Sequence, residues 1–119
     1  MIWNLDKNRP VCPQICEQIC TRIAAGELAP QQRLMSVREV ALTAGINPNT
    51  VQRAFEQLEQ RGVLYSVRGA GWYVSADTDA AQTLRDSLVQ QTLQDFFEKM
   101  SALGIDPEET RRCVKEWQL

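Results

Sequence analysis

The sequence predicts an α+β fold, mostly α: a winged helix-turn-helix over residues 1–76 followed by a two-helix dimerisation tail over residues 77–119. Three observations carry this expectation. Two helix-start signatures flank a tight glycine-containing turn near residue 45. Two β-rich segments around a glycine-rich turn follow the helix after it, and from Asp77 the composition shifts to a long apolar helical stripe.

In chain order, Pro13–Ala25 places Ile15, Ile19 and Ile23 four apart, and Gly26 follows where a helix end favours left-handed dihedrals, so a first helix is expected here. Ser36-Val-Arg-Glu39 has the form of a capping box, in which each side chain satisfies the other end's free amide; a second helix runs from Ser36 to about Ala44. Gly45 breaks it. Asn47-Pro48 then supplies a capping side chain and a proline at the first helical position, and the third helix buries Val51, Phe55 and Leu58 before Gly62 ends it. Val63–Val67 and Trp72–Ser75, separated by Arg68-Gly-Ala-Gly71, read as a hairpin, the wing. In the tail, Leu84, Leu88, Leu93, Phe96, Phe97, Met100 and Leu103 form the stripe of a helix of about 22 residues ending at Gly104. Asp106-Pro-Glu-Glu109 caps a last helix on which Cys113, Val114 and Trp117 share a face. Two helices cannot hide Phe96, Phe97 and Trp117 unaided, so a second copy of the chain is the expected cover.

A chain of 119 residues holds one ordinary domain, or a small one with an appendage that needs a partner. No apolar run approaches the ~18 residues of a membrane span, and the opening Met-Ile-Trp-Asn-Leu-Asp lacks the pattern of a secretory signal, so a cytoplasmic protein is expected. The net charge of −2 conceals an asymmetry. Residues 1–76 carry eight Lys/Arg against six Asp/Glu, whereas residues 77–119 carry five against nine, which makes the first part the one to meet phosphates.

In a helix-turn-helix the third helix enters the major groove and the second points its N-terminus at a phosphate. Asn49, Thr50, Gln52 and Arg53 would then face the groove: Asn and Gln match adenine, Arg matches guanine or phosphate, and Thr suits phosphate or the thymine methyl. A solvated helix face would carry the same residue types. The wider pattern separates the two readings. The run "PQICEQICTRIAAGELAPQQRLMSVREVALTAGINPNTVQRAFEQLEQRGVLYSVRGAGWYV" resembles the N-terminal domain of GntR-type bacterial regulators over residues 10–75. "GELAP", "RLMSVRE", "NPNTVQRAFEQLE", "GVL" and "RGAGWYV" occur in order and at the family's spacing.

This resemblance implies that Ser36 and Arg38 contact phosphate, that Asn49, Thr50, Gln52 and Arg53 contact phosphate and bases, and that Arg68 with Gly69 reaches the minor groove, whose negative potential favours arginine. Gln31 stands where the family usually has glycine, Met35 where proline usually precedes the serine, and Cys12 where tyrosine is frequent. The short two-helix tail resembles the YtrA-type subgroup. That similarity implies dimerisation and repression, often of transporter genes; the apolar residues Leu84, Leu88, Leu93, Phe96, Phe97, Met100, Leu103 and Trp117 are the expected dimer contacts, and two-fold pairing makes double-stranded DNA carrying an inverted-repeat operator the expected partner.

An enzyme is not expected: the chain has no histidine, which removes Ser-His and Cys-His nucleophile systems, and it shows no paired-carboxylate or phosphate-loop signature. No cofactor or metal is expected, and no pattern identifies a small-molecule effector. Two alternatives stand beside the regulator. One is a winged-helix interaction module without DNA binding. The other is a thiol-based metal or redox sensor using Cys12, Cys16 and Cys20, which recur every four residues on one side of the first helix; the competing reading makes them free thiols, small and semi-buried.

Overall fold

The computed structural model describes residues 2–119. The described residues form five helices and a two-stranded antiparallel sheet in the order α1 (Val11–Ala24), α2 (Val37–Ala44), α3 (Pro48–Gln60), β1 (Leu64–Val67), β2 (Gly71–Val74), α4 (Thr78–Ala102) and α5 (Pro107–Glu116). The chain divides into two compact units, one reaching to Arg85 and the other running from Asp86 to Leu119.

The local signals in the first unit act as the sequence predicts. Ser36 caps α2 with a complete box: its Oγ accepts from the Glu39 amide at 3.1 Å, and its own amide donates to Glu39 Oε1 at 3.3 Å. Asn47 Oδ1 accepts from the Asn49 amide at 2.8 Å, with Pro48 at the first helical position of α3. Gly45 takes left-handed dihedrals between the two helices. The apolar faces then meet in one core of Ile15, Ile19 and Ile23 from α1, Val40 and Ala41 from α2, and Val51, Ala54, Phe55 and Leu58 from α3, closed by Leu64 and Val74 of the hairpin. Phe55 is fully buried and meets Trp72 edge to face at 5.5 Å.

Strands β1 and β2 pair Leu64 with Val74, Tyr65 with Tyr73, Ser66 with Trp72 and Val67 with Gly71. The sheet has a further edge that the sequence reading missed. The Gln31 amide donates to the Val74 carbonyl, the Val74 amide to that of Gln32, and the Leu34 amide to that of Trp72, with Arg33 bridged to Tyr73. Gln31 enters this segment at φ 65°, the one non-glycine residue with positive φ among those described. The position that departs from the family's glycine is therefore one whose backbone favours glycine.

Residues 2–6 lie along α1, held by two glutamines one helical turn apart. Gln18 exchanges hydrogen bonds with both backbone groups of Asn4, and Gln14 does the same with Asp6, so each amide side chain imitates a neighbouring strand. Arg22 lies over the Trp3 ring, 5.0 Å from its centre.

In the second unit Asp106 caps α5 by accepting from the Glu109 amide at 2.8 Å, and the Thr110 hydroxyl donates to the Asp106 carbonyl. Helix α4 is longer than the expected 22 residues because Asp77 caps it through the Asp79 and Ala80 amides. Helix α5 ends at Glu116; Trp117 is extended (φ −66°, ψ 133°) and caps the helix rather than continuing the Cys113–Val114 face. None of the described helices is long and apolar enough to cross a membrane.

Candidate nucleic-acid interface

Three pieces of the first unit carry the eight residues singled out for DNA. Ser36 and Arg38 open α2; Asn49, Thr50, Gln52 and Arg53 occupy the first turns of α3; Arg68 and Gly69 form the hairpin turn. Arg38, Asn49, Gln52, Arg53, Arg68 and Gly69 are exposed, and Ser36 and Thr50 are half-buried. The amphipathic period of α3 accounts for the split, because burying Val51, Ala54, Phe55 and Leu58 turns Asn49, Gln52, Arg53 and Glu56 outward.

Charge and hydrogen bonding leave these groups available. Among the described residues Arg38, Arg53 and Arg68 form no ion pair with a carboxylate; the surface pair Arg9–Asp6 at 3.1 Å lies elsewhere. Ser36 Oγ accepts from Glu39 within the capping box, so its own O–H remains to donate to a phosphate oxygen at the positive end of α2. Gln52 differs: its Nε2 donates one of its two hydrogens to Glu56 Oε1 at 2.9 Å, leaving its second N–H and Oε1 to meet a base.

The wing is fixed to α3 from two sides. Glu59 Oε2 accepts from the Ser66 hydroxyl at 2.9 Å and from its amide at 3.3 Å on one side, and the Phe55–Trp72 contact joins them inside the core. At the tip the Ala70 amide donates to the Val67 carbonyl, which closes a four-residue turn with Arg68 second and Gly69 third. Gly69 has φ 80°, so the turn itself demands glycine, and a Cβ there would meet open space. Sequence reasoning missed Arg33, because a one-residue bridge gives no period-two signal. Arg33 is an exposed residue whose guanidinium lies above Gly71 beside this turn, with no carboxylate partner among the described residues.

The three thiols of α1 are free, and two of them meet α3. Cys12 donates to Gln57 Oε1 at 3.7 Å, and the single S–H of Cys16 has two acceptors within reach, the Ala54 carbonyl at 3.5 Å and Gln57 Oε1 at 3.7 Å. Burial, reinforced by repulsion from Cys12 and Cys20, pushes the Cys16 thiol up to about 11, and burial likewise raises Cys20. A buried thiol that resists ionisation is neither a ready metal ligand nor a ready nucleophile, which favours the packing role for Cys16 and Cys20. Among the described residues no group of three or more His, Cys, Asp or Glu is arranged to hold a metal ion.

Of the apolar positions assigned to dimerisation, Leu84 falls in the first compact unit, and Leu88, Leu93, Phe96, Phe97, Met100, Leu103 and Trp117 fall in the second. No residue of α4 is buried within the chain; Leu93 is 47% exposed, Leu103 75% and Trp117 72%. Phe97 packs edge-on against Phe96 and beneath Arg111.

Residues 13–74 match the family described as bacterial regulatory proteins, gntR family. The HTH-type transcriptional regulator YhcF of Bacillus subtilis (strain 168) is 34% identical over 108 residues, an alignment that spans 91% of this chain and 89% of that protein. The HTH-type transcriptional repressor YtrA of the same organism is 31% identical, with 90% and 83% covered. A solved GntR family transcriptional regulator from Listeria monocytogenes superposes with a TM-score of 0.87 at 35% identity, over 96% of this chain and 100% of that one. The structure of AraR(DBD) in complex with operator ORE1 matches 63% of this chain and 94% of its own at a TM-score of 0.53 and 27% identity.

Proposed function

This chain belongs to the gntR family of bacterial regulatory proteins, and on that premise we propose that it is a dimeric, cytoplasmic repressor of the YtrA type that binds an inverted-repeat operator. One observation carries the DNA-binding part: α3 presents Asn49, Gln52 and Arg53 from a helix whose other face is locked into the core, beside the capped N-terminus of α2 and a wing bearing Arg68 and Gly69. That arrangement puts base-reading side chains on a rigid element and phosphate-binding groups on either flank. Its similarity to AraR(DBD), solved with an operator, supports the same use of this surface.

Residues 1–76 act as the DNA-binding part and residues 77–119 as the dimerisation part. The exposed Leu93, Phe96, Leu103 and Trp117, with Leu84, Leu88, Phe97 and Met100, are the apolar positions that a second copy would cover. Two α3 helices related by a two-fold axis would enter successive major grooves roughly 34 Å apart, which makes the operator an inverted repeat. By the YtrA-type resemblance, transporter genes are the class of target to examine first.

Mobility shift with the promoter of the chain's own operon, together with sedimentation, tests this reading. Arg53→Ala and Gln52→Ala should each weaken operator binding with the fold intact, by about 1–3 kcal/mol of discrimination for a lost bidentate contact. Unchanged operator affinity in both variants would remove α3 as the reading element. A monomer at tens of micromolar that binds operator with one copy per site would refute the tail's role.

A further inference from the structure

Between the start of α2 and the hairpin turn, both placed at the DNA surface by the reading above, the structure puts a cation that neither contains. Arg33 lies three residues before Ser36, a span of at most about 11 Å even when fully extended. Its backbone bridges Tyr73 of β2. Gly71 starts β2 with φ 122°, a conformation for glycine alone, and a Cβ built there would stand 3.4 Å from Arg33 Nε and 3.6 Å from Nη2. The guanidinium therefore lies over Gly71. Gly71 pairs with Val67, and Arg68 follows Val67 directly.

We propose that Arg33, laid across Gly71 between the α2 N-terminus and the wing, is a DNA phosphate contact that joins these two elements into one continuous cationic edge. This rests on the DNA-binding reading above and adds a residue to it. Arg33 is an exposed residue with no carboxylate partner among the described residues, so no ion pair occupies its planar fork of donors. Holding the side chain against a glycine-lined surface limits the freedom it would lose on binding, which a freely mobile surface arginine lacks. Its position on the edge of the sheet, in a segment separate from α3, suits a backbone contact that carries no sequence information.

The test uses the full chain with two duplexes: an operator enriched by this protein from a random pool, and a random-sequence duplex of equal length. Arg33→Gln, Arg33→Lys and Arg53→Ala are compared with the parent by mobility shift over a salt series, and thermal melts confirm that each variant folds. Arg33→Gln is expected to weaken both duplexes by the same factor, about eightfold per protomer at roughly 0.1 M salt, and to lower the slope of log affinity against log salt by about 0.9 per protomer. Arg33→Lys keeps the charge and is expected to retain most of the slope. If Arg33→Gln leaves the affinity and slope of the parent while Arg53→Ala loses the operator, Arg33 only covers the sheet, and the inference falls while the DNA-binding reading stands. If Arg33→Gln weakens the operator alone, Arg33 acts on sequence and the phosphate assignment is overturned. A parent that binds neither duplex overturns both readings.

Discussion

Cys16 offers a quantitative test of what the thiols of α1 do. The thiolate is the reacting species, so the rate of alkylation follows the ionised fraction as well as access. At pH ~8 an ordinary thiol is roughly 9% ionised, and one raised to about 11, as Cys16 is, is roughly 0.1% ionised, a difference of about a hundredfold. Burial under α3 slows the reagent further. Iodoacetamide labelling followed by peptide mass spectrometry should therefore find Cys16 at least about 100 times slower in the folded chain than in urea, with exposed Cys113 labelled early. Stability carries the same signature. The folded pKa lies above the unfolded value, so the folded state holds this proton more tightly; the contribution is complete below pH ~9 and disappears as pH rises toward ~11. Cys16→Ala should therefore flatten that part of the alkaline unfolding profile. Labelling of Cys16 in the folded chain at the denatured rate would show that α1 and α3 do not seal it, and would return the thiol-sensor reading to contention.

Two further perturbations address the backbone and the groove face. Gln31→Gly should raise the thermal midpoint, because releasing a left-handed non-glycine residue returns about 1–2 kcal/mol and the added unfolded-state entropy offsets about 0.5–1 of it; a lower midpoint would mean that the Gln31 side chain itself is needed. Glu56→Gln removes an outward-facing negative charge one turn from Gln52, and titration of a random-sequence duplex should tighten by a few-fold, equivalent to about 0.5–1 kcal/mol; unchanged affinity would show that this face of α3 stays clear of phosphates.

Much of the DNA-binding unit was legible because its signals are local. Ser36 with Glu39, Asn47 with Pro48, and Gly45 between them each act within four residues, and the structure uses every one as a cap or turn. The parts that escaped depend on distant partners. Arg33 joins the sheet through a single bridge to Tyr73, and Gln14 is a buried polar side chain that hydrophobic periodicity leaves without a role, although it holds Asp6 against α1. The departure at Gln31 was visible, but its meaning was not: only the observed φ shows that the position lies in the left-handed region.

The contrast between α3 and α4 shows why the proposed base-reading face was easier to read than the proposed dimer face. In α3 the apolar residues are all consumed by the core, so whatever remains polar and outward is fixed in direction, and Asn49, Gln52 and Arg53 inherit a defined aim from Val51, Phe55 and Leu58. In α4 nothing is buried within the chain, so the sequence specifies how much apolar surface must be covered without specifying which residue meets which. A two-fold partner resolves that ambiguity by self-complementarity, since each leucine or phenylalanine on one copy then has a determined counterpart on the other.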